Sequence, residues 1–402
     1  MRRGQAWTLL LVALGAMFFQ QTFAALGRNL ISVIAPAILQ DLALDPAWLG
    51  VYVGIGAAGS LLFQLGCGSF IIRHGALRIS QMALLMLAVG LVVATAGSLA
   101  FFAISALIGA GGAAVSTPAS SHLLGRYSPP RYAPLVFSIK QTAVPAGLLL
   151  AGLLGPLLTG WWGWRGALLT SAAACLVLAV LLQPLRAEFD ADRVPSRSFR
   201  LSDFHTTLAV VMRDRPLFKL ALACFVFNGM QTVFMSYFVV YLTALGHDLA
   251  VAGMVFSVAT LVAVPGRILW GWAGSVLTSP RVVMGVLALG MAVSFLFAGL
   301  SGPGWSLLAL GLVGLGLSAT ALSWNGVLLA EAARLAPKGM TGAATGGVLS
   351  FGQLGALLMP LIFAAALGLS GGYVLGYLIC AVPSLACGLM LLRGGLRERP
   401  EA

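Results

Sequence analysis

Apolar runs of about 20 residues or more recur along the chain, separated by short polar links, and each is long enough to cross a bilayer core of roughly 30 Å. Twelve such segments are predicted. Six lie near 7–36, 46–71, 77–98, 100–125, 133–159 and 165–185, and six near 217–244, 249–274, 280–300, 305–333, 339–367 and 372–393. Runs of this length in lipid satisfy their backbone as helices, so the expected fold is an all-α integral membrane protein with twelve transmembrane helices. A single long hydrophilic stretch, 186–216, interrupts the series with eleven charges and Pro195, flanked by Pro184 and Pro216. It divides the chain into two six-helix bundles, 1–185 and 217–402. Inside this linker Leu201, Phe204, Leu208 and Met212 recur at helical spacing, which predicts a short helix lying along the membrane surface.

Composition removes the other classes. The chain of 402 residues is 60% hydrophobic and 8% charged, against roughly 25% charged residues in soluble domains. Its 50 Gly suit helices packed closely in lipid. The net charge of +12 is dispersed over short loops, with no basic stripe and no interleaved aromatics, so nucleic acid is not an expected partner. The five Cys lie within or at the edge of apolar segments without metal-ligand spacing, and no disulfide framework is expected. Glycine clusters such as Gly109-Ala110-Gly111-Gly112 sit inside apolar runs, where they read as helix packing rather than nucleotide loops. No Walker motif is present, and no cofactor or enzymatic activity is expected.

Charge placement orients the chain. All but four of the 23 Lys and Arg fall at the two ends or in the links after segments two, four, six, eight and ten. Cytoplasmic loops retain such residues, so both termini and the 186–216 linker are expected in the cytoplasm of an inner, or plasma, membrane. Arg165 occupies a link of the opposite kind. The remaining three, Arg28, Lys140 and Arg267, lie within apolar segments, whereas all 11 acidic residues lie in links or at segment ends. A cation in mid-membrane costs about 2.5–3.5 kcal/mol even on the insertion scale and marks a pathway or a binding site. Three cations with no carboxylate among them point to an anionic cargo.

The two halves repeat weakly. A shift of about 203 positions places Gly68 on Gly271, Arg78 on Arg281, and Gln64 on Arg267; Gly147 and Gly152 are spaced as Gly355 and Pro360 are. Internal repeats of six helices are a known transporter design. Over essentially its whole length the chain resembles the major facilitator superfamily. The stretch Gly68 to Arg78 is similar to that family's signature between helices 2 and 3, departing at Ile72, Ala76 and Leu77. A second copy runs from Gly271 to Arg281 with Ser275 at the acidic position. Gly155-Pro156 and Gly163-Trp164-Arg165 look like further family landmarks.

The resemblance implies a secondary transporter in which two bundles rock about a central site. Ser105, before Gly109, stands where drug–proton antiporters often carry Arg, and the acidic residue expected at 72 is missing; both argue against a cation exporter. Arg28-Asn29-Leu30-Ile31-Ser32-Val33 through Pro36 resembles helix 1 of the anion–cation symporter branch, with Gly27 in place of the usual Asp. Gly266-Arg267 leading to Gly271-Trp272 resembles helix 8 of oxalate–formate exchangers and monocarboxylate carriers, where an Arg contacts the carboxylate.

The candidate substrate residues are therefore Arg28, Lys140 and Arg267, with Gln64, Asn228, Gln231, Tyr237, Trp324 and Asn325 as neutral lining. Each has a plainer role as its alternative: Arg28 and Lys140 reach for headgroups, and the amides hold helices together. His122 and Glu331, near helix ends, are expected to anchor loops. The sequence reads as a monomeric carrier of a small organic anion working by exchange or proton symport, its partners being the substrate, lipid and, for symport, protons. A carrier of neutral or amphipathic solutes, and a receptor that senses without translocating, are the alternatives.

Overall fold

The computed structural model describes residues 3–129, 133–196, 202–274, 278–336 and 341–395. Ser275, Leu201 and the chain-end Arg2, Arg397 and Arg399 lie outside them. Among the described residues all regular structure is helical. The first half comprises α1 (Arg3–Val33), α2 (Ala35–Asp41), α3 (Trp48–His74), α4 (Ala76–Ala94), α5 (Leu99–Ser105), a π-turn at Ala106–Ala110, α6 (Gly111–Ala114), α7 (Ser116–Tyr127), α8 (Ala133–Gln141), α9 (Ala143–Leu181) and α10 (Arg186–Phe189). The second comprises α11 (Ser202–Arg213), α12 (Arg215–Ala244), α13 (Leu249–Leu261), α14 (Ala263–Trp272), α15 (Pro280–Leu300), α16 (Leu307–Ala321), α17 (Asn325–Leu335), α18 (Thr341–Ser370) and α19 (Tyr373–Gly395).

Among the described residues ten stretches are long and apolar enough to span a bilayer, or eleven with the pair Trp48–Gln64 and Cys67–His74, bent by 54°, taken as one span. One of the ten, Ile139–Phe189, has 51 residues. At about 1.5 Å per residue it is more than twice the thickness it must cross, so it is two crossings. Side-chain register shows where it turns. Gln20 bonds Ser80 O, and Gly27 meets Leu87 and Leu91, so α1 and α4 run the same way. Gly147 meets Thr22 and Leu26, and Gly155 meets Leu30 and Ile34, so the first part of α9 follows α1. Arg165 then bonds Thr95 O, and Gln81 bonds Ala179 O, so the second part runs against α4. The reversal falls at Gly163, whose φ of 68° and ψ of 171° lie where an L side chain is strained. With that division the crossings among the described residues number twelve, as the hydropathy pattern predicts.

The second half is built alike. Gly352 meets Cys224, Gly355 lies on the backbone carbonyl of Phe225 and Met359 meets Gly229, so α18 packs parallel to α12 as the first part of α9 does to α1. Gly285 meets Leu392 while Gly299 meets Leu378, so α15 and α19 are antiparallel. Gly147 and Gly355, matched by the sequence repeat, therefore do the same work: each lets two helix backbones touch.

The chain divides into two compact units, Met1–Ile34 with Ile55–Leu201, and Ala35–Gly54 with Ser202–Ala402. Residues 35–54 of the first half, from α2 to the start of α3, thus pack in the second unit. Gly50 makes this possible, because a Cβ there would strike Ala364, the carbonyl of Pro360 and the Tyr237 hydroxyl. The expected linker helix is α11. It packs against α18 and buries Val211, leaving Met212 exposed, so its inner face is rotated from the spacing of hydrophobic residues.

Within the first unit the linker also supplies carboxylates. Asp190 accepts the N–H groups of Leu77 (2.8 Å) and Arg78 (3.1 Å) at the start of α4 and is approached by Nε of Arg186 (3.3 Å). Asp192 holds Arg126 (2.6 Å) and His122 (3.0 Å) on α7. These acids occupy the end of the bundle where Ile72 replaces an acidic residue.

Candidate functional site

The fourth crossing of each half is irregular. In the second unit α16 stops at Ala321 and α17 begins at Asn325, with Leu322, Ser323 and Trp324 forming an opened turn. A helix end leaves its last carbonyls without intrahelical donors, and α14 provides them. Arg267 Nε donates to Leu322 O at 2.9 Å, and Trp270 Nε1 donates to Ala319 O at 3.1 Å. Arg267 and Trp270 are three apart on α14, and the two carbonyls are three apart on α16, so one helix face straps one opened turn. From α12, Gln231 Oε1 receives Trp324 Nε1 (3.0 Å) and Asn325 Nδ2 (3.4 Å). The Trp324 ring, 1% exposed, stacks on Phe227 with centroids 5.5 Å apart.

Four of the sequence candidates, Arg267, Gln231, Trp324 and Asn325, therefore meet around a single turn. Two others in the same unit do not join them. Asn228 donates to Gly352 O (2.8 Å), tying α12 to α18, the plainer role considered for the amides. Tyr237 is fully buried in an aromatic cluster with Phe363, Tyr373 and Tyr377, its ring 4.3 Å from Phe363.

The first unit holds the remaining candidates. Lys140 is 1% exposed, so its side chain does not reach outward to headgroups. It lies in the last turn of α8, which packs against both α1 and α7. Arg28 is half-buried on α1, and Gln64 is half-buried at the bend of α3. Here too the fourth crossing is interrupted, by the π-turn and by Val115, with α7 starting at Ser116. Gln20 Nε2 donates to Ser116 Oγ (2.9 Å), and Thr117 Oγ1 donates to Gln21 Oε1 (3.3 Å).

Gln20, Gln21, Ser116, Thr117, Trp270 and Ser323 are the residues that sequence reasoning missed. One signal was present. Gln21-Thr22 recurs as Gln231-Thr232; both Thr bond the carbonyl four residues back, and both Gln touch the start of the second half of an irregular crossing.

A family model described as Major Facilitator Superfamily matches residues 17–360. The chain belongs to the major facilitator superfamily. Solved structures share this fold at low identity. A nucleoside transporter, NupG, is 12% identical, with 96% of this chain and 99% of that one covered and a TM-score of 0.79. A POT family transporter in complex with 5-aminolevulinic acid is 13% identical, covers 96% of each chain and gives 0.78. A bacterial homologue of the human lysosomal transporter Spinster is 17% identical over 95% of this chain and 94% of that one, with a TM-score of 0.68. No curated protein sequence matches the chain. The protein is a multi-pass membrane transporter of this superfamily.

Proposed function

We propose that this transporter carries a small organic anion, recognised by a carboxylate, in secondary transport by alternating access. The observation that supports this most is Arg267. Its guanidinium lies within an apolar crossing, and its Nε is fixed on Leu322 O, which pre-orients the planar end suited to a paired carboxylate contact. A charge held in such surroundings is costly, and a bound anion offsets that cost. Lys140, buried in the first unit, adds positive field.

Coupling follows from the same chemistry. Arg does not lose its proton, so reorientation with an occupied site is easier than with an empty one, and this favours anion exchange. The second reading is proton symport, with Lys140, buried on α8, as the candidate proton carrier. Termini and linker are assigned to the cytoplasmic face of the plasma membrane by their Arg content, and the working unit is a monomer.

The test is a thermal-shift screen of purified protein against small carboxylates, dicarboxylates, nucleosides and amines, repeated on Arg267→Gln. Stabilisation by carboxylates alone, lost in the variant, is expected. Stabilisation by neutral or cationic solutes only would refute the anion reading.

A further inference from the structure

The break in the tenth crossing places two helix-dipole ends side by side, and the second unit answers them unequally. The carbonyl end of α16 is negative, and Arg267 and Trp270 donate to Leu322 O and Ala319 O there. The N-terminus of α17 is positive. Its cap residue, Trp324, makes no side-chain cap bond, and no acidic residue lies in its first turn. The backbone bond that opens α17 is Leu328 N–H to Trp324 O, so Asn325, Gly326 and Val327 present first-turn N–H groups that have no acceptor within the helix. Such a terminus suits an anion.

One independent observation at this place points to a ligand. Ser323 Oγ, in the opened turn itself, is 1% exposed and has no hydrogen-bond partner. It lies against Gly266, the residue before Arg267, in the seam that the guanidinium crosses. A buried hydroxyl without a partner is uncommon and calls for one. Gly326, in contrast, is exposed, and a Cβ added to it would meet nothing within 4 Å. Ser323, immediately before the cap, thus brings a buried hydroxyl without a partner to the start of α17, and Gly326 leaves room in its first turn.

We propose that the anionic group of the substrate sits at the N-terminus of α17. It accepts first-turn N–H groups and the Ser323 hydroxyl, and Arg267 supplies the full positive charge. Gln231 is a positioning residue that holds Trp324 and Asn325 in register with the turn. This rests on the anion reading above and narrows it to a compact oxyanion, the kind of group that the N–H groups of a single helix turn accommodate.

Gly326 provides the test. Gly326→Asp places a carboxylate of the protein's own at the site, while Gly326→Asn is its uncharged match in size. Both have room, and the Tm of each variant is read beside its affinity, because a charge in an apolar crossing carries its own cost. Calorimetric titration of the protein in lipid nanodiscs would use the sodium salts of acetate, oxalate, succinate and benzoate. Affinity should fall by at least about tenfold in Gly326→Asp and stay within about twofold in Gly326→Asn. Equal affinity in the two variants overturns the site. If Gly326→Asp does not fold, Ser323→Ala decides: weaker binding at unchanged Tm supports the site, and unchanged binding overturns it. Binding lost in Arg267→Gln but kept in Gly326→Asp refutes the α17 site and leaves the anion reading standing. If none of these carboxylates binds the parent protein, both fall.

Discussion

Arg267 joins a backbone carbonyl to a proposed ligand, and its substitutions separate the two duties. Lys can offer its ammonium to Leu322 O or to a carboxylate, but it has no planar fork to do both. Arg267→Lys should therefore lower carboxylate uptake by about tenfold or more, and Arg267→Gln further, measured as initial rates in proteoliposomes. Equal uptake by parent and Lys variant would remove the fork from the account. The three cations within apolar segments were legible in the sequence because charge in such runs is rare. What Arg267 bonds to was not. Leu322-Ser323-Trp324-Asn325 contains neither Gly nor Pro, so nothing local announces the opened turn that frees Leu322 O. Asn228 and Tyr237 show the converse: an amide and a phenol in an apolar run look alike whether they face a ligand or, as here, a helix backbone and a ring cluster.

Helix contacts depend on a few small residues and a few caps. Gly355 lies on the carbonyl of Phe225, with no space for a Cβ, whereas a Cβ on Gly68 meets nothing within 4 Å. Gly355→Val should abolish recovery of monodisperse protein, and Gly68→Ala should leave it unchanged, as read by fluorescence-detected size exclusion. At the start of α4, Asp190 accepts two backbone N–H groups and an Arg while 4% exposed. Asp190→Ala should cost roughly 1–2 kcal/mol, a typical loss for a helix cap, seen as a lower Tm, with Asp190→Asn intermediate. Hydropathy located every crossing because bilayer thickness sets their length. It left no sign that Ala35–Gly54 would pack with the second unit, since that depends on Gly50 meeting residues more than 180 positions away. The acids of the linker were visible as charges; that they cap α4 and hold α7 became visible only with the chain folded.

At the scale of the whole molecule, two units of like construction each carry an irregular fourth crossing, a Gln-Thr pair against it and a cation within an apolar crossing. The central claim is that this arrangement serves carriage of a small organic anion, with the anion present on both legs of the cycle. Counterflow tests it most directly. Proteoliposomes containing the parent protein would be preloaded, or not, with the carboxylate that binds it, and uptake of the labelled form would be followed with and without an imposed pH gradient. The account predicts uptake much faster into preloaded vesicles, nearly insensitive to the gradient, and lost in Arg267→Gln. Rapid uptake into empty vesicles, driven by an inward proton gradient and abolished in Lys140→Met, would contradict exchange in favour of symport. Uptake of carboxylate no faster than in protein-free vesicles, alongside uptake of neutral solutes, would contradict the claim altogether.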